Sequence, residues 1–303
     1  MSPPTGEASG DAVNPEPAPS ANQVAEAFRL ERSEGNRFTA GSVGDPSSRD
    51  VVYGGQLLAQ MILASDQVAE DKDVASIHTL FARSARLSNP IEVDVDVIHD
   101  GRTMGSHSVT VHQGDRVCAQ GLILRRLDAP DLIRHQPEMP DVAGPEDSID
   151  TGQGGLLAPG SDLRVVDGVN TWDPDAPVRP AQLFAWVRLP PGSEGSDGSP
   201  SPALAQALLA YGTDGFLIGT AMLPHAGIGQ NMAHRNIGTG VVSHTLTFHE
   251  QVPFGEWLLL AHESPYAGRG ASYGTAQVFT QDGRLVASFV QENMIRDAGP
   301  TDH

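Results

Sequence analysis

The chain is poor in cysteine, lysine and long apolar runs, and each shortage removes a class of function. Cys118 is the only cysteine among 303 residues, so no disulfide can close within the chain and no thiolate cage can hold zinc. A reducing cytoplasm is the compartment this suits. Lys72 is the only lysine, and 19 basic residues stand against 38 acidic ones, a formal charge of −19. Such a field repels phosphate backbones and anionic lipid surfaces, so nucleic acid is not an expected partner. No apolar run approaches the length that spans a bilayer, and residues 1–22 lack the basic and apolar regions of a secretory signal. A phosphate loop of the Gly-x-x-x-x-Gly-Lys kind is missing as well, Lys72 being flanked by acids. His225, His234, His244 and His249 lie close in sequence without a metal-ligand spacing, and structural or solvent-facing roles suit them better. Neither a metal nor an organic cofactor is expected.

Gly 33 and Pro 23 make a turn-rich chain that favours many short strands over a long-helix architecture. Residues 1–22 have the Pro, Ala, Ser and Gly bias of a disordered tail. Residues 128–160 are dense in Pro, Gly and Asp and occupy the place of a linker, and 190–200 reads as a loop tip. These breaks predict an N-terminal unit over 23–127 and a C-terminal unit over 161–297, with 298–303 as a tail.

The two units resemble each other. Residues 55–64 and 203–210 share Leu-Ala-Gln-x-x-Leu-Ala and are apolar nearly all round, as a helix enclosed by sheet must be. The second opens on Ser201-Pro202, an N-cap followed by Pro at the first helical position, and Gly212 and Gly215 mark its end. Strand signals follow each helix in the same order. His78-Thr79-Leu80-Phe81 corresponds to His244-Thr245-Leu246-Thr247-Phe248, and 91–97 alternates strictly. Residues 108–112 and 117–124 meet across Gly114-Asp115 as 275–280 and 285–291 meet across Asp282-Gly283, with earlier strands at 25–32 and 183–189. Each unit is therefore one buried helix followed by an antiparallel meander. The predicted class is α+β, a double hotdog in which each of two antiparallel sheets wraps a long buried helix.

Over about residues 25–297 the chain resembles the acyl-CoA thioesterase II (TesB-like) family. The likeness rests on Val52-Tyr53-Gly54-Gly55-Gln56, His78 to Phe81, Asn89-Pro90-Ile91 and Asp100-Gly101 in the first unit. In the second it rests on Ala210-Tyr211-Gly212-Thr213-Asp214, Leu223-Pro224-His225, Ser243-His244, Phe248-His249, Glu256-Trp257-Leu258-Leu259, and the run from Thr280 to Glu292. The resemblance implies an acyl-CoA thioesterase that self-associates, with an Asp after the second helix, a hydroxyl residue on the strand before a His, and a Gln late in the last strand. Asp214 and Gln291 match the first and last. The hydroxyl position falls on Val241, and Ser243, two residues along the strand, is expected to share its face and replace it.

Thioester hydrolysis without a nucleophilic side chain needs a base for water and donors for the developing oxyanion. Asp214 is the expected base and Gln291 the orienting amide, with backbone N–H groups of Gly54, Gly55 and Gln56 at the first helix N-terminus as oxyanion donors. Because CoA is anionic and the chain strongly acidic, a local arginine cluster is expected to hold its phosphates, drawn from Arg83, Arg86, Arg125 and Arg126. Aligning Arg284 with Arg116 puts Ile123 opposite Gln291 in the repeat, so a site is expected in the second unit alone. Gly270-Ala271-Ser272-Tyr273-Gly274 mimics a nucleophile elbow, but strand rather than helix follows Ser272 and no His but His303 comes after it. Two other functions remain compatible: a non-catalytic acyl-CoA or acyl-carrier binding module, and a hotdog enoyl-CoA hydratase, which Asp45-Pro46 resembles without the required His.

Overall fold

Among the described residues these segments build twelve strands and three α-helices with defined bounds. The computed structural model describes residues 28–43, 50–69, 71–151, 157–158, 160–190 and 201–298. The predicted tail at 1–22, most of 190–200 and 298–303, and Asp45-Pro46 lie outside the described residues. The first half contains β1 (Leu30–Arg32), β2 (Arg37–Ala40), α1 (Gly54–Val68), β3 (Asp73–Phe81), β4 (Ile91–Asp100), β5 (Met104–Gln113) and β6 (Arg116–Arg126). The second contains β7 (Asp162–Val165), β8 (Gln182–Arg188), α2 (Pro202–Thr213), α3 (Leu217–Met222), β9 (Ile237–Phe248), β10 (Trp257–Gly268), β11 (Ala271–Thr280) and β12 (Leu285–Asp297). Ser201 caps α2 as its sequence predicts, its side chain accepting from the Leu204 N–H.

Strand order confirms the internal repeat. From its outer edge inward the first half runs β1-β2-β4-β5-β6-β3, and the second runs β7-β8-β10-β11-β12-β9. The expected pair of separate sheets is corrected here. β3 and β9 pair antiparallel, with Ile77 opposite Leu246 and Thr79 opposite His244, so the halves form one continuous twelve-stranded sheet. Each half would otherwise end on a strand with unpaired N–H and C=O groups, and joining the two edges satisfies both.

The helices are not wrapped separately either. The Thr79 hydroxyl contacts Met61 of α1, while His244, directly opposite Thr79, contacts Thr213 of α2, so both helices lie on one face of the sheet. They touch each other where Gly55 meets the Tyr211 carbonyl, and a single apolar core runs between them and the sheet from Phe38 to Phe289. While Leu157 and Ala158 of the 128–160 segment join the main core, its 139–143 part packs on the opposite face of the second half. There Met139 and Val142 pack against Trp186, Leu259 and Phe279, and the Trp186 indole donates to the Ala143 carbonyl.

One core group makes stability depend on acid. His262 of β10 is buried against the Phe216 and Phe289 rings, and its Nδ1–H donates to the Leu183 carbonyl at 3.1 Å. Burial pushes its pKa down to about 4. The unfolded imidazole binds a proton near pH 6.5 and the folded one near pH 4, so acidification between those values favours the unfolded chain. The full difference is worth about 3 kcal/mol. Urea unfolding of wild type at pH 7 and pH 4.5 should lose more stability than His262→Phe does over the same interval. Parallel losses in the two proteins would refute this.

Candidate active site

Matching strand pairs in the two halves differ in one way. In the first half β3 faces β6 with Ile77 opposite Ile123, a bulge at Ala75, and Val74 opposite Arg125. In the second, β9 faces β12 with His244 opposite Gln291, a bulge at Val242, and Val241 opposite Asn293. Where the first half has two buried isoleucines the second has a buried His and Gln, so the polar site belongs to the second half.

Asp214 comes to this pair from the end of α2. Gly215 interrupts the helix before α3 begins, and Asp214 occupies the C-cap position, fixing its side chain at a buried break between two helices. An acid at the C-terminus of its own helix is electrostatically misplaced. The N-terminus of α1 offsets this. That helix has no acid in its first turn and no side-chain cap, and its Gly54 lies so close to the Asp214 carboxylate that a Cβ there would stand 2.7 Å from Oδ2. Glycine at 54 and 55 is thus a matter of space: a Cβ on Gly55 would stand 2.2 Å from the Tyr211 carbonyl oxygen.

A chain of hydrogen bonds sets the Gln291 amide. The group 3.0 Å from the Thr213 carbonyl must be its NH2, because a carbonyl oxygen can only accept. The same Nε2 lies 3.0 Å from His244 Nδ1, which therefore accepts and leaves the ring proton on Nε2. That Nε2–H donates to the Thr213 hydroxyl at 3.2 Å, and the hydroxyl donates to the Ala210 carbonyl at 2.8 Å. With every donor committed, Gln291 Oε1 is turned away as an acceptor, buried and without a hydrogen-bond partner among the described residues. Asp214 Oδ1 is in the same condition, 3.8 Å from His244 Nδ1. Leaving a buried acceptor unpaired costs about 1–3 kcal/mol, so two on residues that both border His244 Nδ1 favour a small donor. Water has two hydrogens to give.

Aromatic rings close one side. Tyr53 and Tyr211 meet edge to face at 4.9 Å. Burial, reinforced by the nearby Asp214 charge, pushes the Tyr211 phenol up to about 12 and holds Tyr53 well above its ordinary value. Both phenols stay protonated at neutral pH.

Comparison with known proteins places the chain in a family. The family model of the acyl-CoA thioesterase C-terminal domain matches residues 135–295, and that of the N-terminal domain matches 44–126. The chain belongs to the acyl-CoA thioesterase family. It is 28% identical over 263 residues to acyl-CoA thioesterase 2 of Haemophilus influenzae, covering 81% of this chain and 87% of that protein. Human acyl-coenzyme A thioesterase 8 is 26% identical over 315 residues, covering 98% and 96%. Among solved structures, acyl-CoA thioesterase II TesB2 of Mycobacterium marinum superposes with a TM-score of 0.72 at 25% identity, over 91% of this chain and 99% of that one. The TesB protein of Mycobacterium avium subspecies paratuberculosis gives 0.73 at 24% identity, again over 91% and 99%.

Within this thioesterase fold, Asp214, Gln291 and Gly54 come together, Gly55 lies beside them, and Ser243 does not join them. The Val242 bulge reverses the expected parity: Val241 shares the buried face of Asn293, while Ser243 pairs with exposed Glu292 on the other face. The Gln56 side chain is occupied by the Val43 N–H and the Gly41 carbonyl, and its own N–H turns to the Tyr53 carbonyl. Arg125 is fully buried and binds the Ala69 and Lys72 carbonyls, Ser65 and Asp66, so it is a core residue. Arg126 reaches the Phe248 carbonyl. Arg83 and Arg86 are surface side chains on a turn tied to the entrance of α1 by the Val52 N–H and the Ala85 carbonyl, with Arg86 held by Asp50.

The sequence alone suggests a structural or solvent-facing role for His244 and gives no role to Thr213 or Asn293. A usable signal existed for the first: counting back by twos from the apolar Phe248 and Leu246 puts His244 on the buried face. Farther along the face shared by Gln291 and Asn293, Ile295 enters a groove of about 550 Å³ lined largely by Ala221, Met222, Ile228, Met232 and Ile237. That volume lies within the roughly 300–1,000 Å³ of small-molecule sites.

Proposed function

We propose that the protein hydrolyses acyl-CoA thioesters to free CoA and a fatty acid, and that the attacking water is held by Asp214 and Gln291. The carrying observation is the pair of unpartnered acceptors, Asp214 Oδ1 and Gln291 Oε1, with the Gln291 amide turned by Thr213 and His244. Asp214 takes a proton as the water oxygen bonds to the thioester carbon. The oxyanion is met by N–H groups at the α1 N-terminus, Gly54 and Gly55, and collapses with cleavage of the C–S bond. Asp214 returns its proton to the departing CoA thiolate, so the base is regenerated.

The surface turn bearing Arg83 and Arg86 beside the entrance of α1 supports a role in holding CoA phosphates. The apolar groove beyond Asn293 supports binding of the acyl chain. We further assign the chain two units, 23–127 and 161–297, joined by 128–160, and a cytoplasmic place in fatty-acid metabolism. Among the described residues no helix is long and apolar enough to cross a membrane. Leu80, Leu122 and Leu124, exposed side by side on the outer sheet face, support self-association.

Thiol release from acyl-CoAs of increasing chain length, with wild type run beside Asp214→Asn, tests the assignment. Turnover that the variant lacks is expected; an inactive wild type across the whole panel, or an Asp214→Asn enzyme as fast as wild type, would refute it. The groove is tested separately. Ala267 lines it and is exposed, so Ala267→Trp should fill it without disturbing the core. Activity on palmitoyl-CoA should fall about tenfold relative to butyryl-CoA. An unchanged ratio removes the groove from the acyl path.

A further inference from the structure

Val241 stands on the buried face of β9 with no hydroxyl to offer, and the residue directly across from it is polar. Asn293 is 1% exposed, and its amide touches one described partner, the Ser272 hydroxyl at 3.3 Å. Its Oδ1 has none. Successive same-face residues on a strand stand about 7 Å apart, so the Asn293 amide is the next polar group along from Gln291.

In the first half the equivalent position serves a helix end. Arg125 holds the equivalent place, opposite Val74 and one bulge away from the Ile77–Ile123 pair. Its guanidinium reaches the end of α1 and binds the carbonyl of Ala69, the C-cap residue. The C-cap residue of α2 is Asp214. Arg125 spends its terminal nitrogens on Ser65, Asp66, Ala69 and Lys72, whereas Asn293 has the Ser272 hydroxyl alone and keeps Oδ1 without a described partner. Arg125 Nε is also without a described partner, but Asn293 Oδ1 lies on the strand face of Gln291, whose Oε1 is unpartnered too, and two such atoms at neighbouring same-face positions point to a bound ligand.

We propose that Asn293 is the third hydrogen-bonding partner of the attacking water, in place of the hydroxyl that Val241 lacks. This deepens the thioesterase assignment and rests on it. Asp214 Oδ1 and Gln291 Oε1 take the two hydrogens of the water. With the Asn293 amide turned end for end, the Ser272 hydroxyl changes from accepting from Nδ2 to donating to the carbonyl, and the N–H takes the unpartnered Oδ1 position to face the water oxygen. The water is then fixed from three sides with one lone pair left for the thioester carbon.

The test follows thiol release from palmitoyl-CoA by wild type, Asn293→Ala, the Asn293→Ala/Val241→Thr double variant and Asp214→Asn. Asn293→Ala should lower kcat 10- to 100-fold with KM within about threefold of wild type. Restoring the hydroxyl through Val241→Thr on that background should recover most of the loss, a rescue that a purely structural asparagine would not allow. Undiminished kcat in Asn293→Ala, or a loss that Val241→Thr leaves unrepaired, overturns the inference while the thioesterase assignment stands. Asp214→Asn retaining activity removes the assigned base and leaves the Asn293 result to decide its own case. A wild type that releases no thiol overturns both.

Discussion

Asp214→Asn should lower kcat by about 10²–10⁴-fold, the range that a positioned base contributes. The substitution keeps the size and shape of the side chain. It exchanges one carboxylate oxygen for an NH2, so the group can no longer accept the water's proton. Folding should survive, because Asp214 Oδ1 has no hydrogen-bond partner among the described residues and the α1 N-terminus can still face the remaining oxygen. The expected signature is a collapse in kcat with an unchanged melting temperature, read by thiol release and thermal unfolding on the same sample. Loss of activity accompanied by loss of the folded state would assign Asp214 a structural role instead.

Adjacent glycines should give opposite results. Gly55→Ala places a methyl group 2.2 Å from the Tyr211 carbonyl oxygen and 2.9 Å from its carbon, both backbone atoms of α2. No rotamer change relieves that contact, so the helices must separate. Overpacking of this kind costs about 1–3 kcal/mol or more, outweighing the roughly 1 kcal/mol that alanine gains over glycine in a helix. The melting temperature should fall by about 2–5 °C, or the protein should fail to fold. Gly54→Ala meets the Asp214 carboxylate instead, at 2.7 Å from Oδ2. A side chain can yield where a backbone cannot. Stability should therefore hold while the carboxylate swings out of line, and a displacement of about 1 Å is enough to lower kcat on the order of 10²-fold. Equal melting temperatures for Gly55→Ala and wild type, or full activity in Gly54→Ala, would each contradict the close packing of α1 on α2.

Much of this was legible from residue order. Apolar periodicity located α1 and α2, Ser201-Pro202 located a helix start, and the matched strand signals exposed the repeat, because these properties belong to local stretches of chain. Resemblance singles out Asp214 and Gln291, and the contrast with Ile123 points to one half. Ser243 failed for a specific reason. Strand alternation is a period of two only while no residue is added, and the Val242 bulge inserts one. Nothing in Gly240-Val241-Val242-Ser243 announces it. In the sequence Arg125 reads as charge available to CoA, yet its donors serve the end of α1, a use set by burial.

By itself, then, the sequence determined the elements, their duplication, the half that carries polar residues where the other is apolar, and the family to which the chain belongs. These follow from composition, spacing and motif, which act over short distances along the chain. The tertiary structure alone decided that the two sheets join at β3 and β9, that Asp214 of one half is set against the N-terminus of the helix from the other, and that His244 orients Gln291. Each of those depends on which backbone edges and side chains meet across more than thirty residues of intervening chain. Register, bulges and packing settle such meetings, and no local pattern of amino acids encodes them.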